Sequence, residues 1–151
     1  MKYDDIINQP LLRKPHTLNF LGRVIDNKDF LQAAMAGSAL LALADGEISP
    51  EEKRKMVKFI ENYEPLSVFK TTDIIATFGE FVNQLEFDND LGEAKAFEAL
   101  GKMKNNSQAS RLIMRLVIAI GAADGDFDDH EKAMARRIAV ELDLTAAEFE
   151  L

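Results

Sequence analysis

Hydrophobic positions along this 151-residue chain fall into blocks of helical period separated by short polar stops. From Asp29 to Ala44 apolar residues fill nearly every face, with Ala, Leu and Met dominant. These residues favour helix, and a helix without a polar face is a central, buried one. Asp45-Gly46 ends it, since Gly46 can take the positive φ that follows a last helical turn. Ser49-Pro50-Glu51-Glu52 then reads as an N-cap, a Pro at the first helical position and a Glu at the third. The second helix carries Met56, Val57, Phe59 and Ile60 on one stripe and stops near Tyr63, before Pro65.

Leu66, Val68 and Phe69 predict a short packed turn. Thr71 or Thr72 caps a third helix with Ile74, Ile75, Phe78, Phe81, Val82 and Leu85 at helical spacing. Asp88 caps a fourth, with Leu91, Ala94, Phe97, Leu100 and Met103 inward. Asn105-Asn106 breaks it and Ser107 caps a fifth, nearly all apolar from Leu112 to Ala123. Asp124-Gly125 stops that helix, Asp128 opens a last long one to about Leu142, and Thr145 caps a final turn, Ala146 to Phe149. Residues 1–27 are the least regular: Pro10 and Pro15 limit any long helix, and Leu18, Leu21 and Val24-Ile25 suggest a short amphipathic turn or helix. No stretch alternates strictly enough to predict a strand. The six Met and ten Phe are assigned to the core.

Two of the stops are related. Ala44-Asp45-Gly46-Glu47-Ile48-Ser49-Pro50-Glu51-Glu52-Lys53 aligns without gaps to Ala123-Asp124-Gly125-Asp126-Phe127-Asp128-Asp129-His130-Glu131-Lys132. In each, a buried Ala-rich helix precedes the Asp-Gly, an acid and then an apolar residue follow it, and a capping residue opens an amphipathic helix. The reading is an all-α helical bundle with an internal pseudo-two-fold repeat, the two halves sharing one core because neither has enough alone. The repeated region spans residues 28–151, one domain by length.

Composition narrows the chemistry. No Cys is present, which removes disulfides, thiolate nucleophiles and sulfur-rich metal sites, and two His are a poor basis for zinc. No signal peptide and no span of ~20 apolar residues is found, so a cytoplasmic location is expected. The net charge is −8, but residues 1–28 carry five basic and three acidic groups, so the rest carries −10. An acidic body disfavours nucleic acid and favours cations or a basic partner.

The candidate chemistry lies in the two turns. Their capping boxes, Ser49 with Glu52 and Asp128 with Glu131, explain part of the acid content. They do not explain Asp45 and Asp124, which sit where the helix dipole is negative and a carboxylate is disfavoured. The candidate metal ligands are Asp45, Glu47 and Glu52, with Ser49, in the first turn, and Asp124, Asp126, Asp128 and Glu131 in the second. Oxygen-only ligands suit Ca²⁺ or Mg²⁺. Asp124, Asp126 and Asp128 are spaced like the first ligands of an EF-hand, but Gly comes second and the closing acid eighth, so this is not that motif. A metal-free docking surface, with Lys53, Arg54, Lys55, Lys58, Lys132, Arg136 and Arg137 as basic stripes beside the acids, is the alternative. A hydrolase using the second turn and His130 ranks below both, and no phosphate loop, nucleophile elbow or Rossmann fingerprint is present. No enzyme activity and no catalytic residue is expected.

The run from Phe30-Leu31-Gln32 through Ala42-Leu43-Ala44 into the first turn resembles the TerB family of tellurite-resistance proteins. So do Val68-Phe69, Leu85-Glu86-Phe87-Asp88, the second turn, and the ending Ala147-Glu148-Phe149-Glu150-Leu151. The resemblance covers about residues 28–151. It implies an all-α fold of about seven helices with pseudo-symmetry, and a tellurite-resistance or chemical-stress role. It also implies work at the inner face of the membrane, beside a TerC-like membrane protein and TerD-like partners, with related domains in DjlA-like co-chaperones. In that family the acidic turns are proposed metal or interaction sites. Carried over, these are Asp45, Glu47, Glu52, Asp124, Asp126, Asp128 and Glu131.

Overall fold

Helix α1 (Asn27–Ala42) is the axis of the computed structural model, which describes residues 17–20, 23–123 and 127–151. Ala33, Ala34, Met35, Ala36, Ala39 and Leu40 are all buried on it, so every face meets protein, as the all-apolar pattern predicts. Its one buried hydroxyl, Ser38, donates to the Ala34 carbonyl at 2.8 Å, which satisfies a donor that would otherwise be expensive to bury.

Around it stand α2 (Pro50–Glu61), α3 (Thr71–Phe87), α4 (Asn89–Gly101), α5 (Ser107–Ala123) and α6 (Asp129–Glu141). Short 3-10 turns lie at Glu64–Leu66 and Ala146–Phe149. Six α-helices are found among the described residues, against about seven expected. Helix α1 packs mainly on α3, α4 and α5, with α6 closing another side. Leu66 is buried at the first 3-10 turn, and Phe69 stacks on Phe30 at 6.1 Å, tying that turn to α1.

The segment before α1 departs from the expected turn or helix. Strands β1 (Thr17–Phe20) and β2 (Arg23–Asp26) pair antiparallel, Leu18 opposite Ile25 and Asn19 opposite Val24. The β-forming residues Phe20, Val24 and Ile25 carry the signal. With only four residues in each strand, no strict alternation shows in the sequence.

Three other expectations are corrected. The inward face of α4 is Gly92, Ala96, Ala99 and Leu100, whereas Leu91 is 51% exposed and Ala94 also faces solvent. The reason is close approach: a Cβ on Gly92 would stand 2.6 Å from Leu85 Cα, so small residues let α4 lie against the α3 backbone. Ile74 is buried but Ile75 is not, and Phe87, assigned to the core, is 88% exposed. The caps differ as well. Lys70 precedes α3 without a side-chain cap, and Asn106, not Ser107, caps α5 by accepting from the Ala109 N–H at 3.1 Å. Asp88 does cap α4, accepting from the Leu91 N–H at 3.2 Å while also ending α3, so one residue makes the whole α3–α4 corner.

Ion pairs lace the surface. Arg137 of α6 reaches Glu93 of α4 at 2.7 Å and lies over the Phe97 ring at 4.8 Å. The Arg137 hydrogen bond holds the Glu93 carboxyl below the usual carboxylate range, against a smaller opposing effect of burial. Lys53 of α2 meets Glu86 of α3 at 3.1 Å, and Arg111 meets Glu148 at 3.0 Å. Two members of the supposed basic stripes, Lys53 and Arg137, are thus engaged in holding helices together. No helix among the described residues is long and apolar enough to cross a membrane.

Candidate functional site

The first acidic turn follows directly from its sequence. Gly46 takes φ +97°, where a side chain would be strained, and its N–H donates to the Leu43 carbonyl at 2.8 Å. The chain reverses there, Ile48 drops into the core, and Ser49 caps α2 by accepting from the Glu52 N–H at 3.1 Å, with Pro50 at the first helical position. Asp45, the carboxylate at the wrong end of a helix dipole, accepts from the Glu47 N–H at 3.2 Å. A backbone donor and the start of α2 therefore supply the positive potential that its position needs.

The second turn is described from Phe127 onward; Asp124, Gly125 and Asp126 lie outside the described residues. Phe127 lies against Gly121 of α5 so closely that a Cβ there would collide with its ring. Asp128 and Glu131 form a complete capping box: Asp128 Oδ1 accepts from the Glu131 N–H at 2.8 Å, and Glu131 Oε1 accepts from the Asp128 N–H at 3.2 Å. In each turn the apolar residue before the cap thus packs onto the helices, and the acids are presented around it.

The fold brings the two turns together. Asp45 and Glu52 from the first and Asp128 and Glu131 from the second line one cavity of about 180 Å³. Its remaining lining is Leu41, Ala42, Met56 and Ile120. Four carboxylates thus face one space, and among the described residues no basic side chain lines it. Carboxylates gathered on one space attract a cation.

Glu47 is placed elsewhere. It lines an open groove of about 440 Å³ with Asp45, Gly46, Ile48, Ser49, Glu52 and Glu86. Glu86 is a residue that sequence reasoning does not assign to the site. Only the packing of α3 against α2 brings it beside the first turn, and no local pattern signals that. His130 is exposed in the first turn of α6 and does not line the cavity.

Ion chemistry can be tested against this donor set. The oxygens are hard donors of the kind Ca²⁺ and Mg²⁺ take. Each carboxylate offers two oxygens, and the caps and the Asp45 turn engage at least one on each of Asp45, Asp128 and Glu131. The spacing is looser than ligation requires: among the described residues no group of three or more His, Asp or Glu stands close enough to hold an ion. The donor chemistry fits, and the side chains would have to swing inward to complete a coordination shell.

Comparison with known proteins places the chain in a family. A family model described as tellurite resistance protein TerB matches residues 31–151, which takes in every helix from α1 onward except its first turn. The tellurium resistance protein TerB of Alcaligenes sp is 34% identical over 92 residues, covering 61% of this chain and 75% of its own length. No solved structure matches the chain significantly. With both acidic turns inside the matched region, the chain belongs to the family of the tellurite resistance protein TerB.

Proposed function

We propose that this protein is a cation-responsive scaffold in tellurite resistance and related chemical stress, and that its working site is the acidic cavity shared by the two turns. The observation that carries this reading is the convergence of Asp45, Glu52, Asp128 and Glu131 on one space that no basic residue lines among the described residues. A Ca²⁺ or Mg²⁺ ion there relieves the repulsion among the four acids and ties α2 to the start of α6. Asp124 and Asp126 are further candidate ligands by their place in the sequence, and Glu47 belongs to a neighbouring groove. The family is not a known enzyme family, and no catalytic role is assigned to these residues. In this reading the loaded protein docks to partners of a membrane-associated complex, with a TerC-like membrane protein and TerD-like proteins as candidates, and reaches the membrane only through them.

The alternative is a metal-free adaptor. It is favoured by the complete capping box, which gives Asp128 and Glu131 a structural role without any ion. Calorimetric titration of chelator-treated protein with Ca²⁺ and with Mg²⁺ separates the two. A shared cavity predicts that Asp45→Asn and Asp128→Asn each abolish saturable binding, although they lie in different turns. Two independent turn sites predict that each variant keeps half of it. Ion at 100 times Kd adds about 2.7 kcal/mol of stability, readable as a thermal shift. Neither heat nor shift at millimolar ion would leave the adaptor reading.

A further inference from the structure

Phe87 is the most exposed large hydrophobic side chain among the described residues, 88% accessible, and Leu91, four positions on, is 51% accessible. Both sit on the α3–α4 corner that Asp88 builds. Neither is needed there by the core: the inward faces of the two helices are Phe78, Phe81, Val82 and Leu85 on one and Gly92, Ala96, Ala99 and Leu100 on the other. The corner is also acidic. Asp88 and Asp90 lie between the two apolar residues, Glu86 precedes them, and the groove that Glu86 lines continues the negative surface to Asp45, Glu47 and Glu52. Lys53 meets Glu86, and no basic residue lies in the sequence between Glu86 and Leu91.

We propose that this corner docks a basic amphipathic helix of a partner protein, its apolar residues seated on Phe87 and Leu91 and its Lys or Arg residues facing Asp88, Asp90 and the Glu86 groove. Charge decides between occupants. Two copies meeting corner to corner would set Asp88 and Asp90 against their like, which is repulsive. A cytoplasmic-type anionic lipid surface would be repelled by the same acids. The chain's own basic helix α2 is a poor occupant in a second copy, because its apolar residues Met56, Val57 and Phe59 already pack on the core. A basic helix with a free apolar stripe satisfies both the exposed ring and the acids around it. The surface is distinct from the four-carboxylate cavity, and the proposal does not depend on an ion there.

The test is fluorescence anisotropy of a short dye-labelled amphipathic peptide of leucine and lysine, titrated with the full chain in chelator. The expected result is saturable, salt-sensitive binding, weakened about tenfold or more by Phe87→Ser, as for an aromatic anchor, and weakened further by Asp90→Asn. Phe87→Ser removes an exposed side chain, so unchanged circular dichroism is expected alongside. The proposal is overturned by no binding, by equal binding to Phe87→Ser, or by equal binding of a leucine–glutamate peptide. It is also overturned if sedimentation shows Phe87-dependent self-association, which assigns the corner to a second copy. Phe87-dependent pelleting with phosphatidylcholine vesicles, which assigns it to lipid, has the same consequence.

Discussion

Three helical glycines differ in what an alanine Cβ would meet, and that difference predicts a graded stability series. Replacing glycine by alanine inside a helix gains about 1 kcal/mol from propensity alone. At Gly79, in the middle of α3, nothing lies within 4 Å of the new methyl, so the gain should survive intact. At Gly37 the methyl would stand 3.1 Å from Val117 Cγ2, the end of a side chain that can give by a few tenths of an ångström, so gain and crowding roughly cancel. At Gly92 it would stand 2.6 Å from Leu85 Cα and 2.7 Å from Leu85 N. Backbone of a packed helix cannot step aside, and overpacking of this kind costs about 1–3 kcal/mol or more. Subtracting the propensity gain leaves Gly92→Ala less stable by up to roughly 2 kcal/mol. Urea unfolding followed by circular dichroism reads all three, with a common slope confirming that only stability has changed. Each kcal/mol should move Tm by about 2–4 °C for a chain of this size. If Gly92→Ala proves as stable as Gly79→Ala, then α4 does not lie against the α3 backbone as described, and the account of its small-residue face fails.

Caps and pH give two further tests. The double variant Asp128→Ala/Glu131→Ala removes both side-chain acceptors of a capping box and should cost about 1–2 kcal/mol, whereas Asp128→Ala and Ser49→Ala each remove one hydrogen bond and should cost about 0.5–1 kcal/mol, all by denaturant titration without divalent ion; equal losses in the double variant and in Asp128→Ala would argue that the reciprocal Glu131 bond contributes nothing. The Glu93 carboxyl is held below its ordinary value of 4.5 chiefly by its hydrogen bond to Arg137, so its stabilising contribution is present above that pH and is lost as pH falls through the lower, folded-state value. Arg137 is half exposed, so the pair should be worth below about 1 kcal/mol; the stability gap between wild type and Glu93→Gln should narrow on acidification below about pH 4.5, and a gap that widens there would refute the assignment.

What the sequence made legible is what local chemistry determines. Ser49, Asp88 and Asp128 cap where their spacing predicts, and Gly46 takes the positive φ that a stop after α1 requires. The burial of α1 on all sides follows from having no polar face. The errors arise where tertiary approach outweighs local preference. A rule that turns large hydrophobes inward puts Leu91 in the core, but backbone contact at Leu85 favours the smaller Gly92 face and turns Leu91 out. Phe87 was assigned inward simply as a Phe, although it stands at the last position of its helix. Asn106 outcompetes Ser107 because its carbonyl reaches the Ala109 amide from one residue earlier. The acids of the two turns were visible as residues, but their convergence was not, because nothing in either turn encodes the position of the other.

That convergence has a consequence for folding. The α3–α4 corner closes between neighbours in sequence, so forming it asks little of chain entropy. The four-carboxylate cavity is the opposite case: its walls come from 41–56 and 120–131, and they meet only when the helices between them are in place. An unfolded or half-assembled chain contains the same aspartates and glutamates but not the space they enclose. Any ligand that needs all four therefore distinguishes the finished molecule from its folding intermediates, and occupancy of the cavity reports that assembly is complete.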